Sequence, residues 1–181
     1  DANLAQALRP NFGLIEGLLA GHDNEADRKR WFDRLLGGQI VGNAGVERGG
    51  KHGDIQATIA READHYVVNG AKTYITSAVR GDYVVAAVRT GGPGAAGISM
   101  LVIEKGTPGF EVSRKLAKMG WRSSDTAELS FTDARVPVEN LVGAENTGFL
   151  QIAQAFVSER VGLAVQAYSS AQRCLDITVA W

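Results

Sequence analysis

Between residues 39 and 140, short apolar runs follow one another at close spacing, and turn residues rather than helical segments separate them. Ile55–Arg61, Tyr66–Asn69, Thr73–Thr76, Tyr83–Arg89, Ile98–Glu104, Phe110–Arg114 and Ala127–Thr132 each read as a strand, as does Gln39–Glu47. Asn69-Gly70, the Gly-rich stretch 91–97 and Pro108-Gly109 read as turns. A doubly wound parallel sheet needs a crossover helix between strands, and no such helix fits here. The pattern predicts an α+β chain whose centre is an antiparallel β-barrel or sandwich, flanked by helical segments.

Those flanks divide the chain into three expected parts. Residues 1–38 carry an apolar helical stripe through Leu4, Leu8, Ile15, Leu18 and Leu19. A second helix is expected over Glu25–Leu36, capped by Asp23-Asn24 and stopped by Gly37-Gly38, with Trp31, Phe32, Leu35 and Leu36 on one side. Residues 39–143 form the β domain. Residues 144–181 are helical again, with a cap at Asn146 or Thr147 and a broad apolar face through Phe149, Leu150, Ala153, Phe156, Val157, Val161 and Ala164. A single helix of that length packs poorly alone, which predicts a bundle with further members. The chain opens Asp-Ala-Asn without an initiator Met and ends at Trp181 mid-helix, so it is expected to be a piece of a longer protein.

The formal charge of −1 gives no electrostatic reason to expect nucleic acid or an acidic membrane surface. No apolar run reaches membrane-spanning length. The lone Cys174 cannot form an internal disulfide, and His22, His52 and His65 are scattered, so neither a disulfide scaffold nor a zinc site is expected. A cytoplasmic protein with no metal fits these limits.

Four groups of residues could carry chemistry. In the segment 66–78, a strand alternation puts Tyr74 and Thr76 on one face. A flat heterocycle could stack on the ring and bond to the hydroxyl; ordinary strand packing explains the same residues. Asn69, Gly70 and Lys72 read as turn-forming. In 118–126, Gly120, Arg122, Ser123 and Ser124 could cradle a phosphate or a carbonyl oxygen, or Arg122 could simply pair with Asp125. Glu159-Arg160 is either a solvated helix face or a catalytic pair. Finally, residues 44–54 combine glycines with Glu47 and a basic Arg48-x-x-Lys51-His52, which is either a site loop or a tolerated surface loop.

The run Lys118-Met-Gly-Trp-Arg-Ser-Ser-Asp-Thr-Ala-Glu-Leu-Ser-Phe-Thr-Asp-Ala-Arg-Val-Pro-Val-Glu-Asn140 resembles a signature of the acyl-CoA dehydrogenase superfamily. Asn69-Gly-Ala-Lys-Thr-Tyr-Ile-Thr76 resembles the family stretch whose aromatic and hydroxyl residues contact the flavin ring. The resemblance implies FAD bound through Tyr74, Thr76 and the backbone of Ile75. It implies an acyl-CoA edge at Arg122 and Ser124, and a substrate-site Arg160. Glu159 matches the catalytic base of some branches, whereas in most the base comes from a loop nearer the family's C-terminus. The implied reaction is α,β-dehydrogenation: a carboxylate removes the α-proton of the thioester while the β-hydride goes to flavin. An electron-transfer flavoprotein as acceptor and a homo-oligomer, a tetramer in this family, are implied as well. The isolated chain is expected to bind FAD weakly or not at all.

One loop departs from the family pattern. Where the family has Thr-Glu-Pro, this chain has Val46-Glu47-Arg48, and no Ser precedes Asp54. Gly42-Asn43-Ala44 and Glu47-Arg48-Gly49 resemble a side branch of flavin-dependent monooxygenases acting on sulfur compounds, with Asn43 facing the flavin. A non-catalytic, family-like piece is the third reading.

Overall fold

The computed structural model describes residues 25–47, 49 and 55–181. The helical stripe expected before residue 22, the Asp23-Asn24 cap and most of the basic stretch 48–54 lie outside the described residues.

Helix α1 spans Glu25–Leu36, as the periodicity predicts. Gly38 ends it with φ near 90°, a backbone conformation open to glycine at little cost. Trp31 is fully buried, but Leu36 is 84% exposed and so does not belong to the apolar side predicted for it.

Eight strands follow among the described residues: β1 Val41–Ala44, β2 Thr58–Glu62, β3 His65–Thr76, β4 Tyr83–Arg89, β5 Ile98–Glu104, β6 Phe110–Lys115, β7 Thr126–Pro137 and β8 Leu141–Val142. They form one sheet in the order β6-β7-β3-β2-β4-β5-β8, with β1 beside β4. Most pairs are antiparallel, as expected; β1 and β2 each run parallel to β4, and the strand path does not close. Helix α2, Gly148–Ala180, follows, with Gly148, Ile152 and Ala155 buried.

Two apolar layers hold the domain together. Tyr83, Val85 and Ala87 of β4, with Ile98, Met100 and Val102 of β5, pack with Trp31 of α1 and Ile152 and Ala155 of α2. The alternate residues Val84, Ala86, Val88, Leu101 and Ile103 pack with Tyr66, Val68, Ala127, Leu129 and Phe131 of β3 and β7. Strands β4 and β5 are therefore covered on both faces, which is why their sequences are continuous apolar runs.

Three boundaries differ from the sequence reading. β1 stops at Ala44 instead of continuing to Glu47, because residues 45–47 leave the sheet and turn Glu47 toward β3. β7 extends to Pro137, its outer half pairing with the start of β3. Asn69-Gly70 is no hairpin turn: it lies inside β3, at a register shift against β7 between Val68 and Gly70. The hairpin turn is at Ala63-Asp64, between Glu62 and its partner His65. Gly70 is required by closeness and backbone alike. Its φ is +147°, and a Cβ there would lie 2.6 Å from Cα and Cβ of Ala57.

Candidate functional site

The end of β3 is where the backbone leaves regular geometry. Lys72 and Thr73 are both buried, so the alternation of a strand breaks. The register against β7 slips between Lys72 and Ile75. Tyr74 falls at φ 58°, a left-handed conformation uncommon for an aromatic residue, and its side chain is 69% exposed. Ile75 is buried and Thr76 half-buried. Past Thr76, Ser77 repeats the left-handed conformation at φ 62°.

Neighbouring segments close around this strand end. The amide of Thr73 donates to the carbonyl of Val46 at 3.0 Å. A Cβ added to Gly42 would lie 3.1 Å from the carbonyl oxygen of Thr76, which sets β1 and the half-buried Asn43 beside the same end. Thr76 pairs with Thr126, and the amide of Ser77 donates to the carbonyl of Asp125 at 3.0 Å. Ser124, adjacent to Asp125, is 1% exposed, and its hydroxyl has no hydrogen-bond partner among the described residues. Lys118 Nζ donates to the Ser124 carbonyl and fixes the loop.

The structure thus gathers Asn43, Val46, Tyr74, Ile75, Thr76 and Ser124. Arg122 is exposed at the rim. It does not form the pair with Asp125 that is its alternative reading. That carboxylate is occupied by Arg80 at 3.2 Å and by the amide of Val79 at 2.7 Å, because the tight turn after β3 presents both groups to it. Glu159 and Arg160 lie on α2, whose first turns pack on β5 through Gly148 and Ile152. Glu159 is half-buried; Arg160 is exposed and places its guanidinium 5.7 Å from the Phe156 ring.

Lys72, like Asn69 and Gly70, departs from the turn role expected of it. It forms no turn: its side chain has no exposure, and its Nζ donates to Glu47 Oε1 at 2.6 Å and to the carbonyl of Ala87 at 2.5 Å. Glu47 also accepts from the amides of Gln56 at 2.6 Å and Ala57 at 3.0 Å. Burial alone would push its carboxyl up, but Lys72 and the two amides hold it below the ordinary value. The signal was present in the sequence: a period of two from Tyr66 and Val68 puts Lys72 on the inward side.

A flat aromatic cofactor fits this strand end on the chemistry of its groups. Tyr74 offers an exposed ring, and among the described residues the Thr76 hydroxyl has no hydrogen-bond partner. Ser124 adds a buried hydroxyl in the same state. Among the described residues, no group of three or more His, Cys, Asp or Glu could hold a metal ion. No described helix is long and apolar enough to cross a membrane.

The chain is similar to several known proteins. A family profile described as "Acyl-CoA dehydrogenase, middle domain" matches residues 47–134. A short-chain-specific acyl-CoA dehydrogenase of Clostridium acetobutylicum is 36% identical over 91% of this chain and 45% of its own length. A crystal structure from Mycobacterium smegmatis, assigned to an acyl-CoA dehydrogenase, is 57% identical with a TM-score of 0.90, over 99% of this chain and 48% of that one. A solved structure described as an electron transferring flavoprotein of Acidaminococcus fermentans is 31% identical with a TM-score of 0.87, over 92% of this chain and 45% of that one. The chain spans less than half the length of these proteins.

Proposed function

The chain belongs to the acyl-CoA dehydrogenase superfamily, and on that premise we propose that it is the central part of an FAD-dependent enzyme that dehydrogenates an acyl-CoA thioester. The observation that carries this reading is the strand end at Tyr74, which combines an exposed ring with the hydroxyls of Thr76 and Ser124, neither with a partner among the described residues. FAD, when bound, supplies the two-electron acceptor for the β-hydride.

This chain's residues take the following parts. Tyr74 would offer its ring to the cofactor, Thr76 and the backbone of Ile75 would hydrogen-bond to it, and Asn43 and Val46 would help hold it from the side of β1. Ser124 and Arg122 face the thioester and the CoA moiety, and Arg160 holds substrate from α2. Glu159 is the candidate base for the α-proton; it lies on α2, whose first turns pack on β5. The relatives' names support a short acyl chain and an electron-transferring flavoprotein as acceptor. The division at residues 38 and 143, oligomeric assembly, weak or no FAD binding by this piece alone and a cytoplasmic setting belong to the same proposal.

The second reading, a monooxygenase, rests on the likeness of Gly42-Asn43-Ala44 and Glu47-Arg48-Gly49 to that branch, and it is favoured by Val46. Only the backbone of that residue is engaged, its carbonyl accepting from Thr73, and the side chain offers no hydroxyl. One experiment separates the two. Anaerobic addition of butyryl-CoA to the flavin-loaded full-length protein should bleach the flavin absorbance. No bleaching, with oxygen uptake by the reduced enzyme and a sulfur substrate, overturns the dehydrogenase reading.

A further inference from the structure

The left-handed Tyr74 has to be held in place. A non-glycine residue in that conformation costs roughly 1 kcal/mol, and it persists only where the surroundings dictate it. An exposed ring supplies no packing of its own to do so. The restraints lie on the two residues before it. Thr73 is fixed on both sides, its amide donating to Val46 and its hydroxyl 3.3 Å from Glu128. Lys72 is drawn inward by Glu47 and by the carbonyl of Ala87. With Lys72 and Thr73 both committed to the interior, the chain passes to the buried Ile75 through a bulge, and Tyr74 is the residue turned out.

The same carboxylate governs the facing loop. Glu47 bonds to the amides of Gln56 and Ala57 while it holds Lys72, so one side chain joins the segment after β1, the approach to β2 and the strand β3. Val46 is its immediate neighbour. A buried ion pair adds little stability over an apolar pair of equal volume, yet it can impose one geometry.

We propose that the buried Lys72–Glu47 pair is the positioning device of the flavin wall, setting the bulge that turns Tyr74 outward and the distance from Tyr74 to Val46. This rests on the reading that those two residues face flavin. Neither Lys72 nor Glu47 touches the cofactor in this arrangement; both act through their neighbours.

The test uses the full-length protein with three sequences: wild type, the volume-preserving double variant Lys72→Met/Glu47→Gln, and Val136→Ala as a destabilised control far along β7 from the bulge. FAD dissociation constant, visible circular dichroism of bound FAD, thermal stability and exchange of the Thr73 amide are measured. The double variant should bind FAD about tenfold or more weakly, with an altered visible spectrum and faster Thr73 exchange, at unchanged or higher thermal stability. Val136→Ala should lower stability and keep the FAD constant and spectrum. If the double variant binds FAD as wild type does, the proposal falls. If wild type takes up no FAD, the functional reading falls instead, and Thr73 exchange decides the positioning role: faster exchange in the double variant upholds it and unchanged exchange overturns it.

Discussion

Lys72 Nζ lies 2.6 Å from Glu47 Oε1, with the lysine side chain wholly buried and the glutamate 11% exposed. The pair is asymmetric in what its loss does. Glu47→Gln leaves an ammonium group in the interior without its counter-charge, and should cost about 3–5 kcal/mol in chemical denaturation. Lys72→Met/Glu47→Gln removes both charges and should recover that loss in full. A double variant no more stable than Glu47→Gln alone would show that charge desolvation is not what the pair resolves.

The pair also sets an acid limit. Burial opposes ionisation of Glu47, but Lys72 and the Gln56 and Ala57 amides outweigh it and hold the carboxyl below its ordinary 4.5. A group depressed on folding contributes stability that is complete above its unfolded value and fades as pH falls through the folded one. Stability should therefore be flat near neutrality and fall as pH drops below about 4.5. In Lys72→Met/Glu47→Gln that part of the acid slope should be missing, measured by urea midpoints at successive pH values.

Gly70 and Ala57 approach too closely for any side chain at position 70. Gly70→Ala brings a Cβ to 2.6 Å from Ala57 and also forces alanine to φ +147°. The expected loss is about 2–4 kcal/mol, above that of overpacking alone. Adding Ala57→Gly removes one of the two clashing atoms but not the backbone strain, so it should restore only part of the loss. Full restoration would locate the whole cost in the clash.

The same glycine shows where the sequence misleads. Asn69-Gly70 has the composition of a tight turn, and locally nothing distinguishes the two uses of Gly. What decides is tertiary: Ala57 crosses there, and the strand continues because β7 pairs on both sides of the shift. Runs such as Tyr83–Arg89 and Ile98–Glu104 are legible to the residue because both faces are buried and the pattern has no ambiguity of phase. At the candidate site, Tyr74 and Thr76 are visible as residue types, whereas the bulge that presents Tyr74 depends on Glu47, far away in sequence. Asp125 shows the same limit: its near neighbour Arg122 is the obvious partner in the sequence, and the fold supplies Arg80.

Two phenols should report on the two apolar layers at high pH. Tyr66 is pushed up to about 12 by burial and by its 2.5 Å hydrogen bond to Glu145; Tyr83 is pushed up to about 12 chiefly by burial. A value raised on folding contributes stability that is complete below the unfolded 10.0 and is lost as pH climbs through the folded one. Phenolate absorbance of the folded protein should show a late phase near pH 12 that coincides with loss of structure. Tyr66→Phe and Tyr83→Phe should each shrink it. A variant that leaves the phase at full height would remove that tyrosine from it.

Trp31 fastens α1 to the sheet, and its surroundings separate packing from charge. Its ring is fully buried 5.2 Å from Tyr83, and the Arg34 guanidinium lies 4.8 Å from the Trp31 ring and 4.9 Å from the Tyr83 ring. Arg34 in turn pairs with Glu104 at the end of β5 at 2.9 Å. Trp31→Ala removes the largest side chain in that layer and should cost about 3–5 kcal/mol. Trp31→Phe keeps an aromatic face for Arg34 but leaves a void, so a smaller loss of about 1–2 kcal/mol is expected. Glu104→Gln should cost under about 1 kcal/mol, since the glutamate is half in water and the arginine keeps both rings. Denaturation midpoints decide the order. If Glu104→Gln proves as damaging as Trp31→Ala, the helix is held by the ion pair and not by the buried indole.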